Sequence, residues 1–239
     1  MRHTTLVLVL AGASALAFAG PAAAQKDERF NWHGRVAAGQ SLEIRGINGY
    51  VHAVPASGGE VVVNALKHGR RSNPADVKIE VVPGSSGVTI CAVYPSSGDH
   101  PNDCRSGGGH SETRNNDVAV DFDVQIPAGV SFLGRTVNGE VTAENLSGNV
   151  DVQTVNGSVR ANATGLVRAH TVNGGIDVTM GRADWTGTLE LETVNGGVHV
   201  TLPANTSAEV DAATVNGGLS TDFPLTIQGR MMRNRIHGT

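Results

Sequence analysis

The phrase Thr136-Val137-Asn138-Gly139 returns at Thr154, Thr171, Thr193 and Thr214, with spacings of 18, 17, 22 and 21 residues. Four residues before each Thr stand Phe132, Val150, Val167, Leu189 and Val210, and two before stand Gly134, Val152, Ala169, Leu191 and Ala212. Five residues after it come Val141, Val159, Ile176, Val198 and Leu219, and seven after come Ala143, Ala161, Val178, Val200 and Thr221. Each corner is thus flanked by two period-two strands, each with one apolar face. The columns between are polar: Arg135, Gln153, His170, Glu192 and Ala213 just before the Thr, and Thr142, Arg160, Asp177, His199 and Ser220 six after it.

One corner is constant while the opposite corner varies in length, from Leu146-Ser147-Gly148 to the longer Met180–Gly187. Identical corners on every copy predict a stack in which Asn138, Asn156, Asn173, Asn195 and Asn216 form one column, each amide bonding to the next at the strand spacing of ~4.8 Å. The glycine after each Asn is expected to take a left-handed backbone, and the second glycines at 175, 197 and 218 to let neighbouring coils approach. The fold expected is all-β, a repeat-built parallel β-helix or solenoid. The alternative is an antiparallel β-meander or sandwich, because Asn-Gly between alternating strands is also the strongest hairpin signal. A meander, however, has no reason to keep the same four residues at every second turn.

The first half is a degenerate version of the same plan. Leu42 and Ile44 lead into Ile47-Asn48-Gly49, followed by Val51 and Ala53, and further alternating strands run over 77–81, 88–93 and 118–126. Pro127-Ala128-Gly129 marks a turn without a linker. The reading is one β-repeat domain over 25–239, with an irregular half at 25–129, regular repeats at 130–229 and a tail at 230–239.

The 239 residues include 31 Gly and only two Trp, two Tyr and five Phe, so core bulk must come from Val, Ala, Leu and Ile. A net charge of -4 and long Val-rich runs argue against a disordered chain. The missing basic stripe argues against a nucleic-acid partner.

Met1–Thr5 carries Arg2, residues 6–20 are apolar, and Ala22-Ala23-Ala24 precedes Gln25. That is the layout of a secretory signal over 1–24, cleaved after Ala24. The apolar stretch falls short of the ~20 residues of a membrane span, and no other segment approaches it. A periplasmic or extracellular product is expected. An oxidising compartment favours a Cys91–Cys104 disulfide, with a zinc site shared with His100 and His110, or free thiols, as alternatives. The spacing of those four residues matches no familiar zinc finger. Residues 95–117, which include His100, Cys104 and His110, read as a long polar loop.

The Gly-x-Val strands, the Ile126-Pro127-Ala128-Gly129 step and the Thr-Val-Asn-Gly corners resemble the bacterial β-strand-repeat family of unknown function labelled "putative adhesin", from about Phe30 onward. The resemblance implies an exported β-helical protein of the cell envelope, with no catalytic residues to carry over. It also marks a departure: relatives continue past a segment like Phe223-Pro224-Leu225 into a last repeat, whereas this chain ends after Arg230, Arg233 and Arg235. Either the tail folds over the last coil, or an open end invites self-association.

Two polar pairs fall on the third and fourth coils, His170 beside Glu192 and Asp177 beside His199. With Trp185, read as an exposed ring in the long corner, they form the candidate ligand face. The opposing reading is a solvated face with charges paired across strands. Gly-x-Ser-x-Gly is absent, Gly107-Gly108-Gly109 precedes no helix, and Asp121 and Asp123 alternate onto the solvent face of one strand. No catalytic residue, cofactor or metal is expected. The chain reads as a non-catalytic exported envelope protein presenting a rigid surface for adhesion or scaffolding, its partner an envelope protein or a glycan. The alternative is a glycan-active or glycan-binding β-helix protein with its site near coils three and four.

Overall fold

The computed structural model describes residues 27–96, 100–182, 184–204, 206, 209–216, 219–221 and 235–238. The expected leader, Phe223-Pro224-Leu225, Arg230 and Arg233 lie outside the described residues.

In chain order the strands of the first half are β1 (Glu28–Gly34), β2 (Ser41–Arg45), β3 (Val51–Pro55), β4 (Val61–His68), β5 (Lys78–Gly84), β6 (Gly87–Val93) and β7 (Ala119–Ile126). The regular half supplies β8 (Ser131–Arg135), β9 (Val141–Leu146), β10 (Val150–Gln153), β11 (Val159–Ala163), β12 (Val167–Asn173) and β13 (Ile176–Met180). It continues with β14 (Thr188–Asn195), β15 (Val198–Thr201), β16 (Glu209–Asn216), β17 (Leu219–Thr221) and β18 (Arg235–Gly238).

All of these strands fall into two sheets. The first runs β1-β4-β7-β3-β9-β11-β13-β15-β17 and the second β18-β16-β14-β12-β10-β8-β2-β6-β5. From β8 to β17 the chain places one strand in each sheet alternately, and each strand pairs in parallel with its counterpart one repeat away. Among the described residues no two strands from β8 to β17 pair with each other antiparallel, as those of a meander would. Antiparallel pairs occur at the ends, β1 with β4, β4 with β7, β5 with β6, and β16 with β18, so both sheets are mixed. The last of these places Arg235–Gly238 along β16, in register from Ala213 to Val210. Residues 235–238 therefore extend the second sheet by one strand beyond β16.

The apolar columns close between the sheets. Phe132, Val150, Val167 and Leu189 meet Val141, Val159, Ile176 and Val198, all buried. The few large rings sit where the regular stack joins the irregular half, with Phe122, Phe132 and Tyr94 almost wholly enclosed. Gly134 makes room for one of them, since a Cβ there would lie 2.9 Å from the Phe132 ring.

Each residue of the recurring corner has a distinct task. The Thr side chain faces inward and donates to the corner glycine carbonyl of the preceding copy: Thr136 to Gly49 at 3.1 Å, Thr154 to Gly139 at 2.9 Å, Thr171 to Gly157 at 2.8 Å and Thr193 to Gly174 at 2.9 Å. The Asn amides bond upward in a ladder, Asn138 to Asn48, Asn156 to Asn138, Asn173 to Asn156 and Asn195 to Asn173, each at 2.8 Å. Asn216 continues the backbone register opposite Asn195.

The glycines act differently from the sequence expectation. Gly49 has φ 111°, but Gly139, Gly157, Gly174 and Gly196 are not left-handed. Glycine is required there by close approach: a Cβ on Gly139, Gly157, Gly174 or Gly196 would stand 1.9–2.0 Å from the carbonyl oxygen of the corner glycine one copy before. Gly175, expected to permit that approach, has nothing nearer to its Cβ position than Gly197 O at 3.6 Å. The first glycine of the pair, not the second, carries the packing.

Asn48-Gly49 joins this ladder from 90 residues before Asn138, so the degenerate first corner is part of the same stack. There Gly46 stands where later corners have Thr. A buried Tyr94 hydroxyl donates to Val118 O at 2.8 Å and lies 3.4 Å from Asn48 N, which donates to it. Burial pushes the Tyr94 phenol up to about 12. The unfolded chain, ionising near 10, then loses its proton first. Stability should be whole below pH 10 and fall as pH rises toward 12, by about 1.4 kcal/mol per unit. Alkaline denaturation of Tyr94→Phe, showing a flatter slope in that window, checks this.

Asn173 sits between two amide bonds of the ladder. Gln153 accepts from Arg135 Nη1 at 3.1 Å and donates to Asp151 at 3.2 Å on a partly exposed surface. Asn173→Ala should lower stability by about 1–2 kcal/mol and Gln153→Ala by less than about half that, read from urea midpoints.

Candidate functional site

The polar columns of the second sheet form its outer face because Val150 and Val152, Val167 and Ala169, and Leu189 and Leu191 point into the core. Parallel register then sets Asp151 beside Arg168 and Arg168 beside Glu190, with Gln153, His170 and Glu192 in the next column. His170 Nδ1 lies 3.4 Å from Glu192 Oε2, and Arg168 Nε lies 3.9 Å from Glu190 Oε2. These side chains, with the Ala169 backbone between the columns, line a groove of about 230 Å³.

The proposed ligand face divides in two. Asp177 and His199 are in register on β13 and β15 of the first sheet, whereas His170 and Glu192 lie on β12 and β14 of the second. The Thr-Val-Asn-Gly corner between them carries the chain from one sheet to the other, so the two pairs look outward on opposite sides. Trp185, expected to be exposed, is half-buried and packs against the core, with its Nε1 lacking a hydrogen-bond partner. Its ring is not part of the groove.

Toward the irregular half, a loop lies over the outer face of the second sheet, where Arg45 donates to Gly108 O. Cys91 and Cys104 form a disulfide with Cα atoms 5.8 Å apart, which removes both sulfurs from any zinc site. His100 and His110 remain as an edge-on ring pair with centroids 6.3 Å apart. Among the described residues no three His, Cys, Asp or Glu side chains converge in a metal-holding arrangement. Asn102 holds the loop together, its amide donating to Tyr94 O and Glu112 O while its oxygen accepts from Glu112 N. The Asp103 carboxylate accepts from His110 N at 2.8 Å, which, with Arg105 beside it, holds its pKa below the ordinary carboxylate value. At the far end of the loop, Asp117 accepts backbone N–H bonds from Ser72 and Arg71 and is held at about 2.

Beneath that loop Glu43 is 5% exposed although alternation puts it on the outer side of β2. Its carboxylate faces Arg45 Nε at 2.7 Å and Arg135 Nε at 3.2 Å and accepts from Thr89 Oγ1 at 3.2 Å. Arg45 also donates to Gly108 O in the loop. Sequence reading missed this cluster, because nothing local to Ser41–Arg45 says that a segment sixty residues on will lie over it.

A second cluster was also missed. Tyr50 follows the first Asn-Gly corner and is 40% exposed. Its N–H donates to Asp121 Oδ1 at 3.1 Å and its hydroxyl to Asp123 Oδ2 at 3.4 Å. Burial, then the charges of Asp123 and Asp121, push its phenol above the ordinary value. His52 lies between Asp123 at 3.4 Å and Glu144 at 3.6 Å, and His68 Nε2 is 2.9 Å from Asp121 Oδ2. The only local signal was Asp121-Phe122-Asp123, whose alternation correctly places both carboxylates outside.

With these sites in view the molecule is an all-β protein built from stacked copies of one corner. No family model and no curated protein matches the chain. It is similar to a solved structure described as a "putative cell adhesion protein" from Clostridium sporogenes, at 10% identity over 81% of this chain and 98% of that one, with a TM-score of 0.47.

Proposed function

We propose that this is a non-catalytic, exported protein of the bacterial cell envelope whose parallel β-solenoid presents the outer face of the second sheet for adhesion or scaffolding. The observation that carries the reading is the groove along Asp151, Gln153, Arg168, His170, Glu190 and Glu192, where donors and acceptors recur strand by strand on a backbone fixed by the Asn ladder. Such a face is preorganised, so a partner lying across the strands binds without ordering it. Export is supported by the residue pattern of 1–24 and by the disulfide, which persists in oxidising compartments. No helix among the described residues is long and apolar enough to cross a membrane.

The test is adhesion of protein-coated beads to isolated bacterial envelopes. Replacing Asp151, Arg168, His170 and Glu192 together by Ala should reduce adhesion at least about tenfold with the thermal midpoint little changed, as expected for loss of several interface contacts. Equal adhesion by the variant would remove the face from the proposal. Release of soluble glycan or peptide fragments from the envelopes by the purified protein would overturn the non-catalytic reading.

A further inference from the structure

We infer that the first sheet carries a second, separate binding site, centred on Tyr50, for an amino sugar bearing a free amine within a glycan. Three independent features converge there. Among the described residues only Tyr50 and Val155 are exposed large apolar side chains, and Tyr50 alone offers a ring. The fold draws three carboxylates together there: Asp121 and Asp123 from β7 contact Tyr50 directly, and Glu144 from β9 joins them through His52. The basic side chains that reach these carboxylates are the imidazoles of His52 and His68, and no Lys or Arg among the described residues forms an ion pair with them. Asp123 and Glu144 are about half exposed and keep acceptor capacity toward solvent.

The chemistry of the ligand follows from that inventory. An apolar ring beside a set of acceptors suits a pyranose, whose C–H face packs on the aromatic while its hydroxyls donate. Excess negative charge selects an ammonium over an acetamide and disfavours uronic acids. The same face continues as a low track. The position of Tyr50 in its corner is held by Glu140, Ser158, Gly175 and Gly197 in later copies. A chain running across the strands from Tyr50 meets Glu140, which is paired with Arg160, and then the small residues Ser158, Gly175 and Gly197.

Calorimetric titration of the purified chain with a glucosamine hexamer tests the site, with the N-acetylglucosamine hexamer and an oligogalacturonate as comparison ligands. The glucosamine hexamer should bind at least tenfold more tightly than either. Tyr50→Ala should weaken it at least tenfold. Tyr50→Phe, which keeps the ring and loses only the hydroxyl bond to Asp123, should stay within about threefold, and Glu144→Gln should weaken the glucosamine hexamer more than the acetylated one. The His170→Ala/Glu192→Ala variant should bind normally, which separates this site from the second-sheet face. Failure to bind the glucosamine hexamer, equal binding of the three glycans, or full binding by a folded Tyr50→Ala protein would each overturn the inference.

Discussion

Gly157→Ala is expected to destabilise the protein by about 3 kcal/mol or more, lowering the thermal midpoint by about 6–12 °C. The added methyl would sit 2.0 Å from Gly139 O and 2.5 Å from its carbon. Those atoms belong to the backbone of the copy below, and the same carbonyl accepts the Thr154 hydroxyl at 2.9 Å. Relief requires lifting this corner from the copy below, which stretches the Asn156–Asn138 amide bond and the Thr154 hydroxyl bond to Gly139 O at the same time. Gly175→Ala is the matched control. Its Cβ meets only ordinary van der Waals contact and its φ is not left-handed, so the change should stay within about 0.5 kcal/mol. Paired thermal melts decide the matter: equal shifts for the two variants would show that the close approach at the first glycine is not what holds the stack.

Glu43→Ala is the second large effect, a loss of about 3 kcal/mol measured by urea unfolding. The carboxylate is nearly inaccessible, and its removal leaves Arg45 and Arg135 facing one another under the loop, with the Thr89 hydroxyl unpaired. Both guanidiniums retain some exposure, which keeps the penalty below that of a fully enclosed pair. Glu43→Gln, which preserves the shape and one acceptor oxygen, should fall between Ala and the native protein. A loss under 1 kcal/mol for Glu43→Ala would mean that the loop yields and water reaches the arginines. The disulfide works against that, since linking residues 13 apart limits the freedom of the loop in both states.

Much of the architecture was legible before any coordinates because strand alternation and corner identity are properties of short segments. Every residue assigned to the apolar columns from Phe132 to Val200 is enclosed, apart from the judgement on Gly134, whose missing side chain is filled by Phe132. The ladder of asparagines was readable for the same reason: identical side chains on identical corners have one shared geometry if the corners stack. The part played by each glycine was not, because backbone conformation and interlayer distance both favour glycine and a sequence does not separate them. Nor was the division of the candidate ligand face. His170 and Asp177 are seven residues apart, but the corner between them turns the chain into the other sheet, and sequence proximity was mistaken for a common surface.

By itself, then, the sequence determined the repeat, the inward and outward alternation, and the residues that recur at each corner, all set by local periodicity. Only the tertiary structure decided which outward residues become neighbours. Tyr50 meets Asp121 across 71 residues, Arg45 meets Gly108 across 63, and residues 235–238 lie along β16. Those contacts depend on how the irregular half threads its strands onto a regular stack and on a loop held down by one disulfide. Their geometry comes from chain topology and close packing, which no pattern of period two contains.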